Sequence, residues 1–188
     1  AEGAWSKLAP LRILSFDIEC QGRKGFFPEA EKDPVIQISN VVAVQGEATP
    51  IIQNVFTLKG CLPIVGAQVI PSEREEDLLL KWSKFVQASD ADIITGYNVQ
   101  NFDMPYLMRR AKTLEKKYHP LKRFPELGRV KGVLARMKES SFSSAAYGSR
   151  DNIDTTIDGR VMFDLLPYMF RNHKLSSYSL NSVSAESL

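Results

Sequence analysis

Leu11-Arg12-Ile13-Leu14-Ser15-Phe16-Asp17-Ile18-Glu19 is the stretch on which the reading of this chain turns. The apolar run over residues 11–16 reads as a buried β-strand, in which residues two apart share a face. Asp17 and Glu19 then project together, with Ser15 and Ile13 behind them, while Leu14, Phe16 and Ile18 fill the opposite face. Two carboxylates side by side near the end of a buried strand repel each other and are costly to desolvate. A hard cation such as Mg²⁺ or Mn²⁺, which prefers oxygen ligands, removes that cost. The alternative is a strand that surfaces early and leaves both acids in water.

Composition narrows the field. The chain has 188 residues, 44% of them hydrophobic and 24% charged, which suits one domain with a full core. No apolar stretch is long enough to span a bilayer, and Ala1-Glu2-Gly3-Ala4-Trp5 carries no signal-peptide pattern. Cys20 and Cys61 give no disulfide framework and point to a reducing compartment. With His119 and His173 the only histidines, any metal is held mainly by oxygen. A net charge of +2 conceals clustering. Between Met104 and Lys138 the basic residues Arg109, Arg110, Lys112, Lys116, Lys117, Lys122, Arg123, Arg129, Lys131, Arg136 and Lys138 are set against only Glu115 and Glu126. That run reads either as a solvated helix face with a loop or as a surface that tracks phosphates.

Outward from the first strand, Val35–Val44 alternates like a second strand and residues 51–58 like a third. Residues 60–71, broken by Pro63, Gly66 and Pro71, read as loop. Ser72-Glu73-Arg74-Glu75 has capping-box spacing and predicts a helix start, with Leu78, Leu79, Trp82, Phe85 and Val86 on its core face. Ile93-Ile94-Thr95 reads as a short buried strand ended by Gly96, and a helix is expected over Met104–Lys117. The Ser/Gly/Asn-rich segment from Ser140 to Asp158 predicts a protruding hairpin; a last strand over 160–165 and a short helix to Arg171 follow. Leu180–Leu188 reads as a helix begun and not finished, so the chain reads as an excised piece of something larger. Strands and helices in this order predict an α/β fold, a mixed sheet flanked by helices in a single domain over 1–188.

A second acidic motif lies in Gly96-Tyr97-Asn98-Val99-Gln100-Asn101-Phe102-Asp103. Read alone, Asp103 before Met104-Pro105 is a helix cap. Read with the first motif, Asp-x-Glu followed by Asn-x3-Phe-Asp resembles the first two exonuclease motifs of family B DNA polymerases, a branch of the DEDD 3′→5′ exonucleases. Longer stretches carry the same resemblance: FDIECQGRKGFFPEAEKDPVIQIS, Ile94-Thr95-Gly96-Tyr97-Asn98, and Gly159-Arg160-Val161 with Asp164. Tyr178-Ser179-Leu180-Asn181-Ser182-Val183 is similar to the family's Ser/Thr-Leu-x-x-apolar element, which contacts single-stranded DNA.

The resemblance implies a ribonuclease H-like fold and the proofreading domain of a nuclear replicative polymerase. Its polymerase site lies outside these residues, and its partners are the single-stranded 3′ end of primer DNA, the polymerase domain and accessory subunits. It implies catalysis by two Mg²⁺ or Mn²⁺ ions, about 4 Å apart in such sites. Asp17 would bridge them, Glu19 serve the nucleophile side, and Asp103 hold the second ion. Asn98 and Phe102 would place the frayed 3′ end, although Phe102 also reads as core packing before a helix. Ser179 and Leu180 would contact single-stranded DNA, with Arg109, Lys116 and Lys117 tracking phosphates. The 140–158 hairpin resembles the family's strand-separating element. Asp164 reads as a support of the site or a cap of the next helix, and is left out of the site. The family's fourth carboxylate belongs to a Tyr-x3-Asp motif after the Ser-Leu element, and none follows Ser179 here. Tyr147-Gly-Ser-Arg-Asp151 has the spacing but precedes Ser179, and reads as coincidence. The excerpt alone is therefore expected to hold no metal, or one ion weakly, and to be crippled as a nuclease. Two other readings stay open: a 3′→5′ ribonuclease or deadenylase of the same fold, and a non-catalytic single-stranded-DNA-binding module.

Overall fold

Along β1 (Arg12–Cys20), Leu14, Phe16 and Ile18 are buried while Asp17 and Glu19 are exposed, the two-residue period of a strand covered on one face. The strand runs on through both acids instead of ending before them, and its register slips in a bulge between Glu19 and Cys20. These features come from a computed structural model, which describes residues 3, 7–144 and 148–187.

β2 (Val35–Val44) and β3 (Ile52–Leu58) follow as antiparallel neighbours, β2 beside β1 and β3 beside β2. β4 (Gln68–Ser72) lies parallel to β3 at one edge of the sheet. That strand corrects the expectation of loop over residues 60–71. Pro71 is tolerated because an edge strand bonds on one side only, so its missing N–H disrupts no second ladder. After α1 (Glu75–Ser89), β5 (Ile93–Gly96) pairs in parallel with the other side of β1. α2 (Asp103–Glu115) and a 3₁₀ turn (His119–Arg123) lead to the two-stranded hairpin of β6 (Arg136–Ser144) and β7 (Gly148–Thr156). β8 (Val161–Asp164) closes the other edge parallel to β5, and α3 (Leu165–Asn172) and α4 (Leu180–Ser187) complete the chain order. The sheet order is β4-β3-β2-β1-β5-β8, so the acidic strand sits in the interior, with the mixed directions of a ribonuclease H-like fold.

α1 covers the sheet with Leu78, Leu79, Trp82 and Val86, all buried. Each such side chain contributes about 1.5–3 kcal/mol on burial. Trp82 packs between Phe16 and Phe124, at centroid distances of 5.1 and 5.9 Å. Its Nε1–H donates to Asn40 Oδ1 at 2.9 Å, and Asn40 Nδ2 donates to Asn54 Oδ1 at 3.1 Å, so the indole and the two amides form one chain of hydrogen bonds in this core.

The capping box is not formed. Ser72 ends β4, Arg74 takes the cap position without a side-chain bond, and Glu75 turns inward. Glu75 accepts two bonds from Arg110 of α2, at 2.8 and 2.7 Å, and one from Val35 N at 2.8 Å. Arg110 also donates to Ala30 O at 3.2 Å. This buried pair fastens α1, α2 and the loop between β1 and β2 together.

The hairpin begins earlier than Ser140, at Arg136, and pairs through Thr156. Glu139 bonds Arg109 of α2 at 2.5 Å, and Ile153 N donates to Asn101 Oδ1 at 2.9 Å, which ties it to the turn ahead of Asp103. Among the described residues no helix is long and apolar enough to cross a membrane.

Candidate active site

β5 pairs with β1 only from Ile13 to Ser15. Beyond Ser15, β1 presents unpaired backbone toward the turn that leaves β5. The turn starts at Gly96, where a Cβ would lie 2.7 Å from Phe16 O; only glycine lets the chain pass this close to the acidic strand. Asp103 then arrives at the exposed edge, and its Oδ1 accepts the Ile18 amide at 3.1 Å. Ile18 is the residue between the two acids of the first motif, so one hydrogen bond joins the two motifs across the sheet.

Asp103 is the first residue of α2, Phe102 holds the cap position, and no side chain caps the helix. The local reading of Asp103 as a cap is thereby corrected: its carboxyl is committed to β1 instead. It is 3% exposed, and burial followed by the Asp17 charge pushes it up to about 7. The Asp17 carboxyl is raised too, first by desolvation and then by Glu19, while a hydrogen bond shared with Asp103 works the other way. A protonated Asp103 donating to an ionised Asp17 fits the raised Asp103 and tempers, without reversing, the rise of Asp17.

Among the described residues no Lys, Arg or His forms an ion pair with Asp17, Glu19 or Asp103. An oxygen-only donor set, strained by mutual repulsion and lacking any counter-cation, fits a hard divalent cation in its chemistry. The geometry is partial. Asp17 and Asp103 are in contact and Glu19 projects from the same strand face. Among the described residues, however, no three His, Cys, Asp or Glu side chains are gathered closely enough to hold an ion.

Asp164 organises the turn. At the end of β8, in register with Gly96, its Oδ1 accepts from Asn98 N and from Leu166 N, both at 2.9 Å, and its Oδ2 accepts from Gln100 N at 3.0 Å. One carboxylate thus caps α3 and pins the loop that delivers Asp103. Asn98 is held there in a left-handed conformation, φ 64°, uncommon for a residue with a side chain. The cap was legible in the sequence as an Asp before a helix; the reach to Asn98 and Gln100 carried no local signal.

The remaining candidates are spread more widely. The Phe102 ring packs between Tyr106 at 5.6 Å and Phe27 at 5.4 Å, so it is at once core and surface. The Tyr97 hydroxyl donates to Tyr178 O, which joins the turn to Ser179 and Leu180. Ser179 caps α4, its Oγ accepting from Ser182 N at 3.3 Å, and Leu180 is exposed. Lys116 and Lys117 are exposed at the far end of α2, roughly 20 Å along the helix axis from Asp103. Arg109 is paired with Glu139. Much of the basic run is also engaged: Arg110 with Glu75, Lys112 with Glu115, Arg123 with Glu126, Arg129 with Asp90 and Asp92, Arg136 with Asp158. Tyr147 and the Asp151 side chain lie outside the described residues.

Over residues 2–183 the chain matches the family described as DNA polymerase family B, exonuclease domain. It is 54% identical over 187 residues to the DNA polymerase delta catalytic subunit of Candida albicans, covering 100% of this chain and 18% of that protein. The same subunit of Arabidopsis thaliana is 55% identical over 188 residues, 100% of this chain and 17% of that protein. That of Drosophila melanogaster is 54% identical over 183 residues, covering 97% and 16%. The chain spans about a sixth of the length of these relatives.

Proposed function

The chain belongs to the exonuclease domain of DNA polymerase family B, and from that premise we propose that it is the proofreading unit of a delta-type replicative polymerase, removing mispaired 3′-terminal nucleotides from primer DNA. The observation that carries the reading is the junction of the two acidic motifs: Asp103 bonded to Ile18 and in contact with Asp17. Asp17 and Asp103, with Glu19 beside them, are the residues that would hold Mg²⁺ or Mn²⁺. Bound divalent ions would supply the activation of water and the neutralisation of charge on the leaving oxygen.

The chain's own residues do the rest. Burial of Asp103 excludes water from one side of the carboxylate pair. Asp164 fixes the turn that sets the position of Asp103, and a site fixed in advance is not rearranged at the moment of reaction. Phe102, half-buried between Tyr106 and Phe27 and next in sequence to Asp103, would meet the unpaired terminal base. A mismatched end frays at lower cost than a matched one, so it enters the cleft more often. The expected partners are the single-stranded primer end, the polymerase domain of the same polypeptide and its accessory subunits, in the nucleus.

The experiment is a primer-degradation assay with the full-length protein on 3′-mismatched DNA. Asp17→Ala should lower cleavage by at least 10²-fold, the scale for removing one transition-state interaction. Comparable degradation of RNA 3′ ends would favour the ribonuclease reading, because only a site that accepts the 2′-hydroxyl tolerates RNA. DNA binding with no cleavage by the full-length protein would favour the binding module.

A further inference from the structure

The turn from β5 to α2 is held by Asp164 at Asn98 and Gln100, and by the hairpin at Asn101. A third contact leaves it in another direction. Tyr97, half-buried, donates its hydroxyl to Tyr178 O, in the segment between α3 and α4. Desolvation and then the Asp164 charge raise the Tyr97 phenol above its ordinary value, so at neutral pH the hydroxyl is a donor.

Tyr178 gathers that segment. Its ring lies against Phe170 of α3 at 4.2 Å. Its hydroxyl donates to His173 O at 2.7 Å and accepts from Leu175 N at 3.3 Å, which closes residues 173–178 into a loop. α4 follows at once: Ser179 caps it, and Leu180, 49% exposed, opens it. Among the described residues, Val183 is the one buried side chain of α4. A helix this short with one buried side chain has little packing to fix it, since helical stability in proteins comes mostly from a packed face. It lies where its first residues are held, and the Tyr97 bond holds the residue just before the cap.

We infer that Tyr97 is a positioning residue for the exonuclease: by bonding Tyr178 O it sets the start of α4, Ser179 and Leu180, against the turn that delivers Asp103. The inference rests on the nuclease reading, in which Ser179 and Leu180 are expected to meet the single strand, and deepens it. The two ends of this bond lie 81 residues apart, and one side chain brings the strand-contacting element and the carboxylate-bearing turn to a fixed spacing. Tyr97 acts through Tyr178 rather than on the strand. A helix start already held in place is not ordered at the expense of binding when the strand arrives. Loss of the hydroxyl therefore appears in KM and leaves kcat nearly unchanged.

The test uses the full-length protein with Mg²⁺ and a single-stranded DNA oligonucleotide. Tyr97→Phe removes one hydroxyl and keeps the ring. It should raise KM about 2- to 10-fold, the scale of one hydrogen bond between neutral groups, with kcat nearly unchanged. Leu180→Ala should also raise KM, and Tyr97→Phe should add less on top of it than it does alone, because the two changes remove parts of one interaction. In EDTA, hydrogen exchange of Tyr97→Phe should show weakened protection over residues 182–186, while residues 98–103, which Asp164 pins, keep theirs. Unchanged KM, or intact protection over 182–186, in Tyr97→Phe would overturn the proposal. So would an equal effect of Tyr97→Phe with and without Leu180, which would mean that the hydroxyl acts independently of α4. A fall in kcat at constant KM would overturn it as well, since Tyr97 would then serve Asp103 instead. The nuclease reading is judged separately: if Asp17→Ala cleaved normally, that reading would fail whatever Tyr97 does.

Discussion

Asp103 accepts the backbone amide of Ile18 at 3.1 Å, and through that bond α2 is anchored to the middle of the acid-apolar-acid triplet on β1. The bond leaves a carboxyl almost without solvent beside a second carboxyl. The folded value for Asp103, about 7, lies above the ordinary carboxylate value of 3.8 that it regains on unfolding. The folded state therefore binds the extra proton between these limits, and metal-free stability declines as pH rises from about 4 to about 7. Asp103→Asn keeps an acceptor for Ile18 and removes the ionisation. It should raise the melting temperature of the metal-free protein at pH 8, leave it nearly unchanged at pH 3.5, and abolish exonuclease activity. Thermal unfolding at the two pH values, with one cleavage assay, checks all three.

Replacing Asp164 should loosen the site without touching it. Asp164→Ala leaves the amides of Asn98, Gln100 and Leu166 without their acceptor, at a cost of about 1–3 kcal/mol for each group that stays buried. Denaturant unfolding should show a loss of that order or more. Hydrogen exchange should show weakened protection over residues 97–103, and exonuclease activity should fall. Asp164→Asn, which keeps one acceptor oxygen, should recover part of each.

The Glu75–Arg110 pair is buried and bidentate. Glu75→Ala should cost about 3–5 kcal/mol, because it strands a guanidinium in the interior. Joint replacement of both residues by apolar side chains of similar volume should cost much less. A double-mutant cycle by chemical denaturation measures the difference.

The basic run makes a divided expectation. Lys116 and Lys117 have no ion-pair partner among the described residues, whereas Arg109 is held by Glu139. If the far end of α2 follows the DNA backbone, Lys116→Ala with Lys117→Ala should reduce the slope of log K against log salt by about 2, one for each phosphate no longer neutralised. Arg109→Ala should change it little. Titrations from 50 to 200 mM salt, roughly the window where such slopes are resolved, decide the matter.

What sequence revealed and what it hid divides along the range of the interactions. The β1 alternation, the core face of α1 and the short β5 are set by nearest neighbours, and each formed where the pattern put it. β4 was hidden because its stability comes from pairing with β3, while its own residues, Pro71 among them, argue for a loop. Ser72 and Glu75 have the spacing of a cap, yet a partner 35 residues away takes the glutamate. Asp103 reads identically as a cap or as a reach across the sheet, since a hydrogen bond to Ile18 leaves no trace in the flanking residues. Asp164 showed one of its two duties for the same reason.

Trp82 sits fully buried with its indole against Phe16, the residue that precedes Asp17. The fold has in this way placed a natural chromophore directly behind the acidic strand, on the face away from solvent. In these 188 residues taken alone and carrying Trp5→Phe, its emission becomes a label-free optical gauge of that strand. A shift to longer wavelength would report water reaching the back of β1, and a silent spectrum in a variant of Asp17 or Asp103 would say that the change lies wholly on the front.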